Sequence, residues 1–153
     1  MIDMVKVNDK IVSEFADART TAGTRVGVGD TLERIRTDQG LRKMVKRIRS
    51  ATGVDQKKLK LSLPAVTWSG EFAKREAAGI VTHSGLVVLD FDEMSRADIT
   101  KLQTDVMMDP HVAGAFVSPR GEGYKVLMSV RIGKGASHRD AWVACSDYAL
   151  VQG

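Results

Sequence analysis

Apolar residues run unbroken from Leu86 to Leu89 and then give way to Asp90, Phe91 and Asp92. A leucine- and valine-rich run of this length predicts a buried strand. Side chains alternate along a strand, so Leu86, Val88, Asp90 and Asp92 share one face, and Val87, Leu89 and Phe91 the other. Ser95-Arg-Ala-Asp98 has the spacing of a helix cap and opens a helix with Ile99, Leu102 and Val106 on one side, stopped by Asp109-Pro110. Val112 to Ser118 and Tyr124 to Val130 read as a hairpin joined by the glycine-containing turn Pro119 to Gly123. Ser137 caps a last helix that runs to the end of the chain.

The pattern upstream is less regular. Lys10 to Phe15 predicts a first strand, and Thr20 to Gly29 a connection rich in Gly and Thr. Asp30-Thr-Leu-Glu33 has capping-box spacing and predicts a short helix ending near Gly40. Leu41 to Arg49 is amphipathic, with Leu41, Met44, Val45 and Ile48 on one face and cations on the other. Between Leu59 and Trp68, Pro64 precedes a short β-prone run, and Ser69-Gly70 turns the chain into Glu71 to Ala78, read as helical or irregular. The order β-α-α-β-α-β-α-β-β-α predicts an α+β fold. Its sheet is expected to be mixed and largely antiparallel, with an RNA-recognition-like β-α-β-β core flanked by helices.

At 153 residues the chain fits one domain, and 43% hydrophobic with 27% charged residues is ordinary for a globular protein. No apolar run approaches the ~20 residues that span a bilayer, and MIDMVKVNDK lacks the apolar core of a secretory signal. Cys145 stands alone, which excludes a disulfide framework and a cysteine-based zinc site. The expectation is a cytoplasmic protein with no membrane partner.

Charge adds more. The net charge is +4, and eight cations lie between Leu41 and Lys60 against the single acid Asp55. They are Arg42, Lys43, Lys46, Arg47 and Arg49, followed by Lys57, Lys58 and Lys60. Two readings stay open, a phosphate-binding surface and a solvated helix face. Aromatic residues are 5% of the chain and none interrupts this block, so it shows no base-stacking platform.

The candidate chemistry sits at the end of the Leu86 strand and in the hairpin turn. Two carboxylates on one face repel unless a cation or shared proton lies between them. Either Asp90 and Asp92 hold a metal, or the strand ends and Asp92 points into water. In SPRGEGYK, Gly121 and Gly123 free the backbone to turn N–H groups toward an anion, with the Ser118 hydroxyl and the Lys125 cation at either end. The alternative is a plain hairpin turn with a surface lysine. Together, metal-holding carboxylates and a phosphate cradle make the arrangement used for nucleotidyl transfer. Mg²⁺, or Mn²⁺ in its place, is the natural ion for hard oxygen ligands.

HSGLVVLDFD, LSLPAVTWSGEF and FVSPRGEGYKVL together resemble the VirE N-terminal-like primase domain, of the archaeo-eukaryotic primase superfamily found in mobile-element replication proteins. The resemblance runs from about Val26 to Tyr148 and leaves residues 1–25 as a poorly matched leader with the first strand. It implies a primase–polymerase core that transfers nucleotides to a 3′-hydroxyl, with nucleoside triphosphates, DNA template and primer, and a helicase domain or subunit as partners. It implies Asp90 and Asp92 as catalytic metal ligands and Ser118 as a nucleotide contact. Lys125 stands where that superfamily has a histidine. The superfamily's third carboxylate is missing: Asp140 and Asp147 fall in a predicted helix, so the chain looks like the N-terminal part of a longer protein.

His83 is a further nucleotide-binding candidate, close enough in sequence to face the carboxylates, or else a turn-ordering histidine. Arg75 is a candidate for nucleic-acid phosphate beside Arg42, Lys43, Lys46 and Arg47, or else a surface cation. No two histidines have zinc-ligand spacing. Three functions stay open: a primase-type nucleotidyltransferase, a catalytically incomplete nucleic-acid-binding module, and a helicase-partner remnant.

Overall fold

A computed structural model describes residues 4–152, with side chains over 6–151; residues 1–3 of the predicted leader and Gly153 lie outside the described residues. In chain order the elements are α1 (Met4–Val7), β1 (Ile11–Phe15), β2 (Thr24–Gly27), α2 (Val28–Thr37), α3 (Gln39–Ser50), α4 (Gly53–Leu61), β3 (Ala65–Thr67), β4 (Gly70–Phe72), β5 (Ile80–His83), β6 (Leu86–Phe91), α5 (Arg96–Met107), β7 (Val112–Val117), β8 (Tyr124–Ser129) and α6 (His138–Gln152). A short 3₁₀ turn, Ala77–Gly79, precedes β5.

The fold is α+β, and its strands form three small antiparallel sheets rather than one mixed sheet: β2-β1-β3, β4-β5 and β6-β8-β7. In the last, β8 lies between β6 and β7, so the β6-α5-β7 crossover is split by the returning hairpin strand. Val112 to Val117 and Tyr124 to Ser129 pair as the sequence pattern requires, with a bulge between Val112 and Gly114. β6 pairs with β8 from Leu86↔Ser129 to Phe91↔Tyr124.

Alternation along β6 divides the core in two. Val87 and Leu89 join Tyr124, Val126 and Met128 under α5 and α6, which supply Ile99, Val106 and Cys145. On the opposite face, Leu86, Leu127 and Ala113 pack with Val12, Val28, Leu32 and Trp68 of the N-terminal layer. Burying a large aliphatic side chain contributes about 1.5–3 kcal/mol, so each face is a strong constraint on strand register.

Local signals held where the side chain itself makes the cap. The Ser95 side chain accepts from the Asp98 N–H at the start of α5, and Ser137 Oγ accepts from the Asp140 N–H at 3.2 Å before α6. Asp30 does not cap α2: that helix begins earlier, after Gly27, and Thr31 Oγ donates back to the Gly27 carbonyl at 2.8 Å. Gly40 ends nothing. Asp38 accepts from the Leu41 N–H and starts α3, so Gly40 falls in its first turn. β2 appears where a connection was expected and β4 where a turn into helical or irregular chain was, while α4 and β5 form in stretches for which the pattern predicted no element. Among the described residues no helix is long and apolar enough to cross a membrane.

Candidate phosphate-binding cleft

Register places Asp90 opposite Lys125, and Lys125 opposite Phe116 on β7, so one row of the sheet reads Asp90, Lys125, Phe116. Lys125 Nζ donates to Asp90 Oδ2 in an ion pair that is partly open to solvent. Asp92 follows the last paired residue of β6. Its Oδ1 lies beside the turn, 3.3 Å from where a Cβ on Gly123 would stand, and Ser118 Oγ is 3.2 Å from the same point. That Cβ would also sit 2.6 Å from the Phe91 carbonyl, so position 123 requires glycine for close approach.

The turn itself is closed by its own backbone. The Ser118 N–H donates to Gly123 O at 2.8 Å and the Gly121 N–H to Ser118 O at 2.9 Å. Gly121 has φ +85°, the left-handed conformation glycine permits. The Gly121 N–H, one of the groups expected to face an anion, is thus spent inside the turn. The turn is held from outside by Arg49 of α3, whose Nε donates to the Pro119 carbonyl at 3.2 Å.

Beside this row opens a groove of about 870 Å³, between the exposed half of the β6-β8-β7 face and α2, α3 and α4. Its floor is apolar, with Val88, Phe116, Val66 and Trp68; the Trp68 and Phe116 rings lie 5.8 Å apart, tilted by 51°. Its walls carry Arg34, Arg42, Lys57 and Lys60 from the helices, and Arg75, Arg120 and Lys125 from the other side. Glu14 is the one acid among the lining residues, and Arg34 pairs with it. Lys57, Lys60 and Arg120 make no ion pair among the described residues. Arg75 is partly structural: its guanidinium donates to the Ala18 carbonyl at 2.6 Å and lies 5.4 Å from the Phe15 ring centre.

The structure therefore brings together Asp90, Lys125, Arg42 and Arg75 around the cleft, with Asp92, Ser118, Gly121 and Gly123 at its turn. It does not bring in Lys43, Lys46 and Arg47, which are exposed on α3 outside the lining. Nor does it bring in His83, which ends β5 and lines a separate surface pocket with Lys10, Glu71 and Ser84 at the opposite end of β6 from Asp90. Lys57 and Lys60 entered only as part of the basic block, and the turn residue Arg120 and the aromatic Phe116 were not singled out; only the folded arrangement sets them around one groove.

A profile of the BT4734-like N-terminal domain family matches residues 58–152, which is 95 of the 153 residues. The chain belongs to the BT4734-like N-terminal domain family. This overturns the resemblance to the VirE N-terminal-like primase domain, and the residue roles carried over from that superfamily lose their support. The BT4734-like match begins within α4 and includes Asp90, Asp92, the Ser118 to Lys125 turn, Arg75 and Arg120, but leaves α2 and α3 outside. No curated protein and no solved structure shows significant similarity to the chain.

Proposed function

We propose that the cleft binds the phosphates of a nucleotide or nucleic-acid strand, and that the Asp90–Asp92 strand end serves nucleotidyl transfer to a 3′-hydroxyl. The observation that carries this reading is the charge of the lining. Seven cations meet in one groove; Arg34 is paired with Glu14 and Lys125 with Asp90, and Lys57, Lys60 and Arg120 make no ion pair among the described residues. A dense polyanion is the ligand that relieves such a concentration of like charge, and about 870 Å³ lies in the usual range for a small-ligand site. Lys57, Lys60 and Arg120 would take phosphate oxygens. Phe116 and Val88 offer an apolar floor to a base, and Lys125 would exchange Asp90 for phosphate.

Asp90 and Asp92 are hard-oxygen donors, and one or two carboxylates plus substrate phosphates is the donor set that Mg²⁺ accepts. Among the described residues no group of three or more His, Cys, Asp or Glu side chains could hold a metal, so Asp90 and Asp92 would supply two ligands to Mg²⁺, or to Mn²⁺ as its substitute, and leave the rest to water and substrate phosphates. When bound, it would neutralise charge that builds on the phosphate and its leaving group. In the transfer itself the 3′-oxygen forms its bond to the α-phosphorus, the bond to pyrophosphate breaks, and the hydroxyl proton leaves to solvent. The partners proposed are a nucleoside triphosphate and DNA, in the cytoplasm.

A second reading, a binding module without transfer chemistry, is favoured by one observation: Lys125 already neutralises Asp90, as an ammonium does where no metal is needed. Calorimetric titration of a nucleoside triphosphate, with and without Mg²⁺, on wild type and Asp90→Asn separates the two. Binding that needs both Mg²⁺ and Asp90 supports transfer. Salt-dependent binding that needs neither leaves the module. No binding of triphosphate or DNA oligonucleotide at physiological salt overturns both.

A further inference from the structure

At the far end of β6 from the cleft, folding joins two histidines 55 residues apart. His83 Nε2 and His138 Nδ1 are 2.8 Å apart, with ring centres 5.0 Å apart. Their roles are fixed by a third group, because the Gly85 N–H donates to His83 Nδ1 at 2.9 Å. That nitrogen therefore carries the lone pair, His83 holds its proton on Nε2, and Nε2–H donates to His138 Nδ1. The same bond sets the pair as donor and acceptor rather than as two open metal ligands.

We propose that His83 and His138 form a proton-operated latch that holds the start of α6 to the β5–β6 turn while both rings are neutral. His138 is the first residue of α6, and Gly85 is the turn residue, at φ +73°. A proton added to His83 Nδ1 meets the Gly85 N–H; one added to His138 Nδ1 meets the His83 Nε2–H. Either opposes two donors and loses a hydrogen bond. A charged His138 also stands at the positive end of the α6 dipole.

The surrounding charges do not favour a second proton. Lys10, from the α1–β1 connection, donates to the Ser84 carbonyl at 2.8 Å and places a cation beside His83. Glu71 of β4 is paired with Arg25, and the Asp140 carboxylate accepts from the Ser137 N–H and hydroxyl. Arg139 adds another cation on α6. Burial first, then His138 and Lys10, hold His83 below its ordinary value of 6.5, and burial does the same to His138. The folded state thus takes up protons less readily than the unfolded chain. The latch contributes fully above about 6.5 and is lost as pH falls below it.

The test is NMR of the ¹⁵N-labelled chain from about pH 8 to about pH 5, following the Gly85 amide and the exchange protection of Trp142 to Cys145, corrected for intrinsic exchange. The Gly85 resonance should titrate with the His83 ring, and protection should fall about two- to tenfold, the worth of one net hydrogen bond. His138→Asn keeps an acceptor that does not titrate and leaves His83 as the one titrating ring of the pair, so the Gly85 resonance should still move with pH while protection falls by less than in wild type. His138→Ala should show the low value at both ends. Wild-type protection that is unchanged across this range, or variants that fall in step with it, would sink the latch.

Discussion

The two faces of β6 differ although they belong to one strand. On the Val87–Leu89 face, α5 and α6 cover the sheet along its length, and Tyr124, Val126 and Met128 are all buried. On the Leu86–Val88–Asp90 face, the N-terminal layer covers one half only. Leu86 and Leu127 are fully buried, Val88 and Phe116 are half-buried, and Asp90 is exposed. The covered face stabilises the fold and carries no charged side chain in its buried cluster. The half-covered face becomes a groove, because α2, α3 and α4 stand off from the sheet, with Arg34, Arg42, Lys57 and Lys60 lining the gap.

The largest expected effect tests the covered face. Leu89→Ala should cost about 2–5 kcal/mol, read as a lowered urea midpoint. Val88→Ala, one residue along on the groove face, should cost about 1 kcal/mol or less. Equal losses would break the contrast between faces.

Next comes the turn that closes the groove. Gly123→Ala puts a Cβ 2.6 Å from the Phe91 carbonyl, and backbone must shift. A cost of about 1–3 kcal/mol is expected, with loss of oligonucleotide binding at concentrations where the variant remains folded. Unchanged stability would mean that Asp92 and the turn are not held in this arrangement.

The smallest effects on stability sharpen the groove's role. Lys57→Ala should leave the urea midpoint within about 0.5 kcal/mol but reduce the salt slope of oligonucleotide binding by about 0.7–0.9, the share of a single neutralised phosphate. Lys43→Ala, on the outer face of α3, should leave that slope unchanged. If both lysines behave alike, binding is a property of the whole basic surface and not of the groove.

Much of the C-terminal half was legible. The β6 strand, α5 with its Ser95 cap, the β7–β8 hairpin and α6 all follow from local signals: uninterrupted apolar runs, a cap made by its own side chain, and glycines in a turn. The N-terminal half was less so. α4 has no strong apolar face, with Leu59 and Leu61 only half-buried, so periodicity could not mark it. β4 and β5 are short and partly exposed, and they exist because they pair with each other. The basic block was visible as composition, yet it divides: Arg42, Lys57 and Lys60 line the groove, and Lys43, Lys46 and Arg47 do not.

Strand alternation alone determined that Asp90 shares a face with Val88, and turn chemistry alone that Gly121 and Gly123 lie between paired strands. These are short-range consequences of backbone geometry, and no distant residue is needed to state them. That Asp90 meets Lys125, that His83 meets His138 and not Asp90, and that seven scattered cations line one groove were decided by tertiary structure. Each joins groups far apart in the chain, and which groups meet depends on how layers pack over a sheet face, a property that no local window of sequence contains.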